Sequence, residues 1–395
     1  MELLFMFLLF FISHVPSSKI IKHKSRFNPP GPIGLPFIGN LHQINPSSLH
    51  TSLWQLSKSY GPIISLRFGF VPTIVVSSPS LAKEVMKTQD IIFCSRPRLV
   101  GNQKFSYGGL DVAFSPYDET WRDMRKIFVT HLLSPKRIQS TRYIREDEVS
   151  HAMSKIHGLT LSSKHVNLSE ITKSVTSTIM MRVGFGKRFQ DENERKKVLG
   201  LLDELQETIV YRKTDRLEKC FQEFDLFYQQ LIDEHLNGRN IRSHEDEDDV
   251  VDILLRLMKD KLFGLTHKHI KAMLMNVLAA GTDASAATVV WSLTLLMKNP
   301  NVMKKAQEEV RNVIGKKCMI DEDDLPKLTY LKAVINETMR LYPSAPLLVP
   351  RETMKDTILH GYKIKQKTIV YVNAFAIGRD PKYWDRPEDF YPERF

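Results

Sequence analysis

Three short groups of residues could carry chemistry, and the first pairs a carboxylate with a guanidinium. Glu337 and Arg340 are three residues apart, so on a helix they share one side and can form an ion pair. Apolar neighbours predict that the pair is buried, which is costly unless further donors satisfy it. Arg394 is the candidate third member of this structural triad. Surface helices carry such pairs constantly, so this group alone favours an ordinary structural role.

The second group is the sequence Ala-Gly-Thr-Asp-Ala-Ser within a long apolar stretch. A glycine in a helix interior costs about 1 kcal/mol relative to alanine, and an acid in apolar surroundings costs more. Small side chains at Ala280 and Ala284 leave room for a flat ligand. Thr282, Asp283 and Ser285 could relay protons. A packing notch with a satisfied polar group explains the segment equally well.

The third group is Trp121 with Arg125, which share a helix face at a spacing of four residues. Both side chains can donate hydrogen bonds to an anionic group, and a guanidinium suits carboxylates well. Taken alone, the pair is more often part of an amphipathic surface helix with a cation–π contact.

The elements that must position these groups are predicted to be mainly helical. One helix should begin after Thr266 and end before Asn299 and Pro300. At 1.5 Å per residue it would be roughly 50 Å long, and its apolar circumference predicts burial on most sides. A second helix should start at Pro300, and a third should run over residues 326–341.

Small sheets are predicted to flank the helices. The β-branched runs at 62–69 and 73–77 indicate a hairpin, and short strands are expected at Thr357–Leu359, Tyr362–Ile364 and 368–372. Residues 201–237 contain neither glycine nor proline and keep near-helical apolar spacing. This pattern predicts one very long helix, or two helices joined by almost no loop.

The first forty residues indicate a membrane attachment. Residues 3–12 are all apolar, but a spanning helix needs roughly 20 such residues, so a cleaved signal peptide is the alternative. Basic residues follow the apolar run, which favours an uncleaved anchor over residues 1–18 with the body of the protein on the cytoplasmic side. Residues 19–40 form a basic, proline-rich hinge, and residues 41–395 form the globular domain.

Composition excludes several classes of protein. The net charge of +11 favours an anionic membrane or an acidic protein partner, and no zinc-finger spacing or RNA-binding aromatic motif supports nucleic acid. The three cysteines, Cys94, Cys220 and Cys318, are odd in number and far apart, which argues against a disulfide framework. We assign no side chain as a metal ligand.

The ordered set of motifs resembles the cytochrome P-450 monooxygenases. The three groups lie between the proline-rich hinge and a terminal Pro-Glu-Arg-Phe in that family's order and approximate spacing. The resemblance runs from the N-terminal segment to Phe395. Single motifs are weak, but the ordered set is highly specific. Phe93-Cys-Ser-Arg-Pro and Ala113-Phe-Ser-Pro-Tyr are similar to the plant microsomal branch that serves specialised metabolism.

The resemblance implies a cytochrome P-450 fold, mainly α with small β-sheets, and haem as the cofactor. Trp121 and Arg125 would hold a haem propionate, with Arg351 as a further candidate. Asp283 and its neighbours would deliver protons, and the charge triad would fix the core beside the haem. The substrate pocket would be lined near Val112, Ala280, Ala284 and Leu348.

The resemblance also implies partners and a location. The reaction would insert one oxygen atom from O2 into a small lipophilic substrate. An NADPH-cytochrome reductase would dock on a basic face and supply the electrons. The chain would sit on the endoplasmic reticulum membrane with its catalytic domain facing the cytoplasm.

The sequence departs from the family pattern in three places. The family's Phe-x-x-Gly-x-Arg-x-Cys, whose cysteine thiolate is established in this family to push electron density onto the iron, does not occur among residues 1–395. The middle is expected to lack a few tens of residues that roof the substrate pocket in relatives. Ala284 stands where a threonine is common, which weakens the proton relay.

These departures predict that the chain as written forms no stable thiolate-ligated haem and has no monooxygenase turnover. Three alternatives stay open: an enzyme of which more sequence exists, a degenerate or faulty product, and a non-catalytic membrane-tethered helical protein that binds a partner. Two separate losses favour the second alternative over the first.

Overall fold

The computed structural model describes residues 28–162, 165–189, 191–211, 214–238, 248–315, 317 and 319–395. The predicted anchor over residues 1–18 and the hinge residues up to 27 lie outside the described residues. Within the described residues helices dominate and the sheets are small, which confirms the predicted fold class.

Fifteen α-helices are present in the part of the chain that the structure describes. They are α1 (Leu49–Tyr60), α2 (Pro79–Lys83), α3 (Asp90–Phe93), α4 (Val100–Phe105), α5 (Glu119–Ile127), α6 (Pro135–Ser140), α7 (Arg142–Leu161), α8 (Leu168–Phe185), α9 (Glu192–Tyr211), α10 (Thr214–Gly238), α11 (Val250–Lys259), α12 (His267–Lys298), α13 (Pro300–Ile314), α14 (Thr329–Leu341) and α15 (Ala374–Ile377).

The strands form two separate sheets. They are β1 (Ile63–Phe68), β2 (Val71–Val76), β3 (Arg351–Glu352), β4 (Thr357–Leu359), β5 (Tyr362–Ile364) and β6 (Ile369–Val372). The larger sheet has the order β1-β2-β6-β3, in which only the β2–β6 pair is parallel. Its register pairs Ile63 with Val76 and Thr73 with Ile369. Strands β4 and β5 pair with each other.

The long helix α12 runs through the core as predicted. Thr266 and His269 form a reciprocal capping box at its start, and α13 begins with Pro300 directly after it. A proline is tolerated in the first turn of a helix but not in its interior, so Pro300 ends α12 and starts α13. The first half of the helix is enclosed, because Ile270, Met273, Leu274 and Leu278 are fully buried against α8, α10 and α11. Later turns expose residues such as Ala284 and Val289, so the predicted burial on most sides holds only for the first half.

The breaker-free middle of the chain forms two helices rather than one. Helices α9 and α10 pack against each other, and the Sγ of the buried Cys220 lies 3.7 Å from the carbonyl oxygen of Leu201. Residues 212 and 213, between the helices, lie outside the described residues. The second of the two predicted arrangements, two helices with almost no connecting loop, is therefore the one found.

Candidate active site

Ser95 connects the elements that carry the predicted cofactor-binding residues. Its carbonyl oxygen accepts a hydrogen bond from the backbone N–H of Glu352 in β3, at 2.8 Å. Its hydroxyl accepts one from the N–H of Tyr117, just before α5, at 3.4 Å. The segment around Ser95 therefore joins the start of α5, which carries Trp121, to the strand that carries Arg351.

Two arginines lie close together beside this segment. Arg351 forms an ion pair with Asp90, with 2.7 Å between Nη1 and Oδ1. Arg96 donates from Nη1 to the carbonyl oxygens of Val349 and Pro350, but its buried Nε has no hydrogen-bond partner among the residues that the structure describes. Burial, followed by the charge of Arg351, lowers the pKa of Arg96 to about 10. A buried donor without an acceptor is costly, so this pair suits an anionic group.

Arg96 was not among the residues predicted for the site. It lies in the Phe-Cys-Ser-Arg-Pro motif, which served only to recognise a branch of the family. The signal was an arginine inside this motif, and no local spacing links it to Arg351, which is more than 250 residues away.

Trp121 and Arg125 are brought together, although with different roles. The Arg125 guanidinium lies 5.6 Å from the Trp121 ring centre. Arg125 is exposed, and no ion pair is found for it among the described residues. In contrast, the indole N–H of Trp121 donates to the carbonyl oxygen of Val112 at 3.0 Å. Arg125 is thus available to an anionic group, whereas the single N–H donor of Trp121 serves the protein.

One face of α12 presents small side chains to solvent. Ala280 and Ala284 are exposed and one helical turn apart, so they form a shallow strip. Leu348, another predicted pocket residue, is also exposed and lies in the left-handed region, with a φ of 52°. Val112 is half-buried and packs against the main core.

Two neighbours of these alanines serve packing. A Cβ added at Gly281 would lie 2.1 Å from the Sδ of Met180, so this glycine lets α8 approach α12. Thr282 is fully buried, and its hydroxyl has no partner among the described residues. Two positions along a helix are about 200° apart, so Thr282 points away from the Ala280 face. Its predicted role in proton relay stays a prediction.

Asp283 is held by a side chain of α9. Gln206 donates to its carboxylate, and the ion pair of Lys173 with Asp203 lies nearby. Burial raises the pKa of Asp283, although Lys173 and the bond from Gln206 oppose this effect. An acid that keeps its proton more readily is suited to donating it. Ser285 is exposed, two residues further along.

The charge triad is assembled in full. Glu337 is fully buried and accepts two hydrogen bonds from Arg340, at 2.6 and 2.7 Å, and one from Nε of Arg394 at 3.1 Å. The backbone N–H of Tyr391 adds a fourth at 2.9 Å. Arg340 donates its remaining N–H groups to the carbonyl oxygens of Gly378, Pro387 and Asp389. Each N–H of Arg340 therefore has an acceptor, as a buried charge requires.

A separate cluster has a composition that could hold a metal ion. His235, Asp249 and Asp252 offer ligand atoms within 4.8 Å of one another. However, Nδ1 of His235 lies 2.7 Å from the Leu231 carbonyl oxygen, and Nε2 lies 2.8 Å from Asp249. With both nitrogens placed against acceptors, the ring suits an imidazolium that links α10 to the first turn of α11.

Comparison with known proteins agrees with this geometry. The family model for Cytochrome P450 matches residues 29–395. The 6,7,8-trihydroxycoumarin synthase of Pastinaca sativa is 45% identical, with 100% of this chain and 83% of that protein covered. A 5-OH-xanthotoxin synthase from the same plant is 46% identical over 94% of this chain and 79% of its own length. A solved zebra fish cytochrome P450 with abiraterone superposes with a TM-score of 0.77 at 28% identity, covering 87% of this chain and 82% of that chain.

The chain therefore belongs to the cytochrome P450 family and, within it, resembles plant members such as Cytochrome P450 71A9 of Glycine max, at 43% identity over 99% of this chain and 82% of that protein. It is an oxidoreductase of the monooxygenase class, and its cofactor is haem. The alignment with the trihydroxycoumarin synthase runs over 429 positions against 395 residues, so at least 34 positions of that relative have no counterpart here. This agrees with the predicted shortening, without locating it.

The residues present fit the haem expected of the family. A propionate would satisfy the orphaned Nε of Arg96, which is next to Ser95, and would pair with Arg125 on α5, the helix just after Tyr117, which contacts Ser95. The flat strip at Ala280 and Ala284 suits the face of a planar ring.

Proposed function

We propose that the chain represents a plant monooxygenase scaffold for oxygen insertion into a small, planar, lipophilic metabolite of the coumarin type. The observation that carries the proposal is the identity of 43–46% to synthases of trihydroxycoumarin, 5-OH-xanthotoxin and xanthotoxol. The small-residue strip at Ala280 and Ala284 supports it, because a flat aromatic substrate needs a flat, apolar surface.

The side chains described above would have distinct roles in cofactor binding and proton transfer. Haem, when bound, supplies the activation of O2. Arg96, Arg125 and Arg351 would hold its carboxylates by charge-assisted hydrogen bonds. Asp283 would hold a proton at its carboxyl group, with Gln206 fixing the orientation of that group. Ala284 has no hydroxyl, so the proton path would pass through Ser285 or ordered water.

The cysteines at described positions do not offer an iron ligand. Burial raises the pKa of the Cys94 thiol, which contacts the Ile91 carbonyl oxygen and Met354. Burial raises the pKa of Cys220 to about 12, and this residue lies between α9 and α10. Iron binds the thiolate, so we propose that Cys94 and Cys220 leave the haem without a thiolate bond. Cys318 lies outside the described residues.

A basic face is a candidate for the reductase. Arg122 and Lys126 are exposed on α5, with the exposed apolar Val129 and Leu133 following at helical spacing. Positive side chains around an apolar centre suit an acidic protein partner, and charge complementarity speeds association. The charge reversals Arg122→Glu and Lys126→Glu should weaken binding of an NADPH-cytochrome reductase, whereas Lys58→Glu on α1 should not.

We further propose attachment to the endoplasmic reticulum membrane with the catalytic domain on the cytoplasmic side, and a patch of exposed apolar side chains supports the contact with a membrane. Phe37 and Phe70 are 75% and 76% exposed, with their ring centres 6.3 Å apart. Ile33 and Leu35 extend the patch. Ile33, Leu35 and Phe37 lie in the predicted hinge, residues 19–40, which follows the anchor predicted over residues 1–18. The one described helix long and apolar enough to span a membrane is α12, which is partly buried in the core.

The decisive experiment joins this chain to the Phe-x-x-Gly-x-Arg-x-Cys segment of the parsnip trihydroxycoumarin synthase. The chimera should bind haem with a thiolate spectrum and hydroxylate a coumarin when a reductase is present. Residues 1–395 alone should show neither property. A chimera with the thiolate spectrum that oxidises none of a panel of coumarins would overturn the substrate class, and a thiolate spectrum from residues 1–395 would overturn the cysteine assignment.

A further inference from the structure

A single amide side chain fastens the loop between α4 and α5 to the long helix. Oδ1 of Asn276 accepts hydrogen bonds from the backbone N–H groups of Val112 and Ala113, at 3.2 and 3.3 Å. Its Nδ2 donates to Oδ2 of Asp111 at 2.9 Å. Asparagine carries an acceptor and donors side by side, so one residue can meet both needs of this loop.

The loop has little freedom beyond these bonds. Asp111 is fully buried and also accepts hydrogen bonds from the N–H of Phe114 and the hydroxyl of Ser115. The carbonyl oxygen of Val112 accepts from the indole N–H of Trp121. Both backbone polar groups of Val112 are therefore held by side chains, one from α12 and one from α5. No regular secondary structure supports this stretch, so these side chains set its shape.

The position of Asn276 places this loop at the proposed pocket. Asn276 precedes Ala280 by one helical turn, and Ala284 follows by another, so the three share one face of α12. We infer that Asn276 is a positioning residue: it fixes the wall of the pocket at Val112 and thereby limits the size of substrate accepted beside Ala280. The inference rests on the proposed function, in which Val112 and Ala280 line the substrate pocket.

Hydrogen exchange at single-residue resolution on the whole chain tests the inference. Asn276→Leu keeps the branched shape but removes all three hydrogen bonds, and the smaller Asn276→Ser serves if the leucine variant does not fold. In either variant the amide hydrogens of Val112 and Ala113 should exchange about tenfold faster, because the net free energy of one hydrogen bond corresponds to roughly a tenfold change in rate. Thr294→Val is the matched control, because it removes a bond from Thr294 to the Val290 carbonyl within the same helix. Unchanged exchange at both amides in both asparagine variants would overturn the inference.

A ligand readout separates positioning from general support. Wild type and variants are titrated with coumarin and the larger xanthotoxin. Loss of Asn276 should change the ratio of the two affinities by about fivefold or more, in favour of the larger ligand. Equal weakening of both would overturn the positioning role. If wild type binds neither ligand, the proposed substrate class fails, and the exchange rates still decide whether Asn276 holds the loop.

Discussion

The charge triad and the candidate haem site, which comprises the Ala280 face of α12 together with Arg96 and Arg125, differ in whether the protein itself satisfies their polar groups. Around Arg340 each donor has an acceptor, and the acceptors include three backbone carbonyl oxygens from residues 378–389. At the candidate haem site, Arg96 keeps a buried donor without a partner in the described part of the chain, and Arg125 on α5 is exposed. The first region is complete within the protein. The second is built from groups that suit a planar anionic cofactor and are not satisfied by the protein alone.

This difference teaches which region supports the fold and which supports the chemistry. Removing a partner from a fully satisfied buried cluster leaves a charge without compensation, so it should affect stability. Removing a group from the second region should affect ligand binding more than stability. The two regions can therefore be separated by pairing each unfolding measurement with a haem titration.

The largest effect is expected at Glu337. Replacement by glutamine leaves the Arg340 guanidinium buried without its carboxylate, and such a change typically costs about 3–5 kcal/mol. Urea unfolding of Glu337→Gln should show that loss. The matched control is Glu308→Gln on α13, whose exposed pairing with Lys304 at 4.0 Å should contribute nothing measurable. A loss below roughly 1 kcal/mol at Glu337 would mean that the triad does not lock the core.

A pair of glycines gives the next effect, and its size differs between the two sites. Gly200→Ala, inside α9, meets no described atom within 4 Å and should stabilise by about 1 kcal/mol through helix propensity. Gly281→Ala would place a methyl group 2.1 Å from Sδ of Met180, so this flexible side chain must shift and should offset most of the same gain. Thermal unfolding of both variants measures the two changes in stability. Equal stabilisation by both would mean that Gly281 serves no close packing.

The two regions also differ in how far the sequence alone predicts them, because local spacing determines part of the first region and tertiary contacts determine the second. Glu337 and Arg340 are local partners three residues apart, so sequence spacing was enough to pair them. Their remaining acceptors come from turns up to 49 residues away and have no local signal. The bounds of α12 followed from Thr266 and Pro300, which act within one turn.

In the second region the sequence does not determine the direction of each side chain, because tertiary contacts decide it. The residue types at 280–285 indicated a site, but the side to which each points depends on where α8 and α9 pack. Gly281 proved to face Met180, and Asp283 proved to contact Gln206. The donor of Trp121 was assigned to a propionate by resemblance, whereas a loop with no periodic pattern places the Val112 carbonyl oxygen against it.

Substitutions at Trp121 and Arg125 should have smaller effects, one on stability and the other on haem affinity. Arg125→Gln should leave the free energy of unfolding unchanged and weaken haem binding about tenfold, because it removes one charge-assisted hydrogen bond. Trp121→Phe should lower the free energy of unfolding by about 1 kcal/mol, by removing the bond to the Val112 carbonyl. It should change haem affinity much less. If Trp121→Phe weakens haem binding as strongly as Arg125→Gln, then the indole N–H turns to the cofactor when haem binds.

The smallest effect is a pH dependence at Asp283. Burial raises the pKa of this carboxyl in the folded protein, so the folded state holds the proton more tightly than the unfolded chain. Stability from this group is fully present below the ordinary aspartate pKa of about 4 and is lost as the pH rises through the raised value. Asp283→Asn keeps an acceptor for Gln206 and removes the titration.

The asparagine variant should therefore melt at a slightly higher temperature than wild type at pH 7, and the difference should vanish below about pH 4. The control is Asp233→Asn on α10, where the aspartate is exposed and accepts a hydrogen bond from Gln229. This variant should show no such pH-dependent difference in melting temperature. If the asparagine variant instead melts at a lower temperature than wild type at pH 7, and this deficit closes as the pH falls, then Lys173 and Gln206 favour the charged carboxylate more than burial opposes it. Asp283 would then belong with the satisfied charges of the first region rather than with the proton-holding groups of the second.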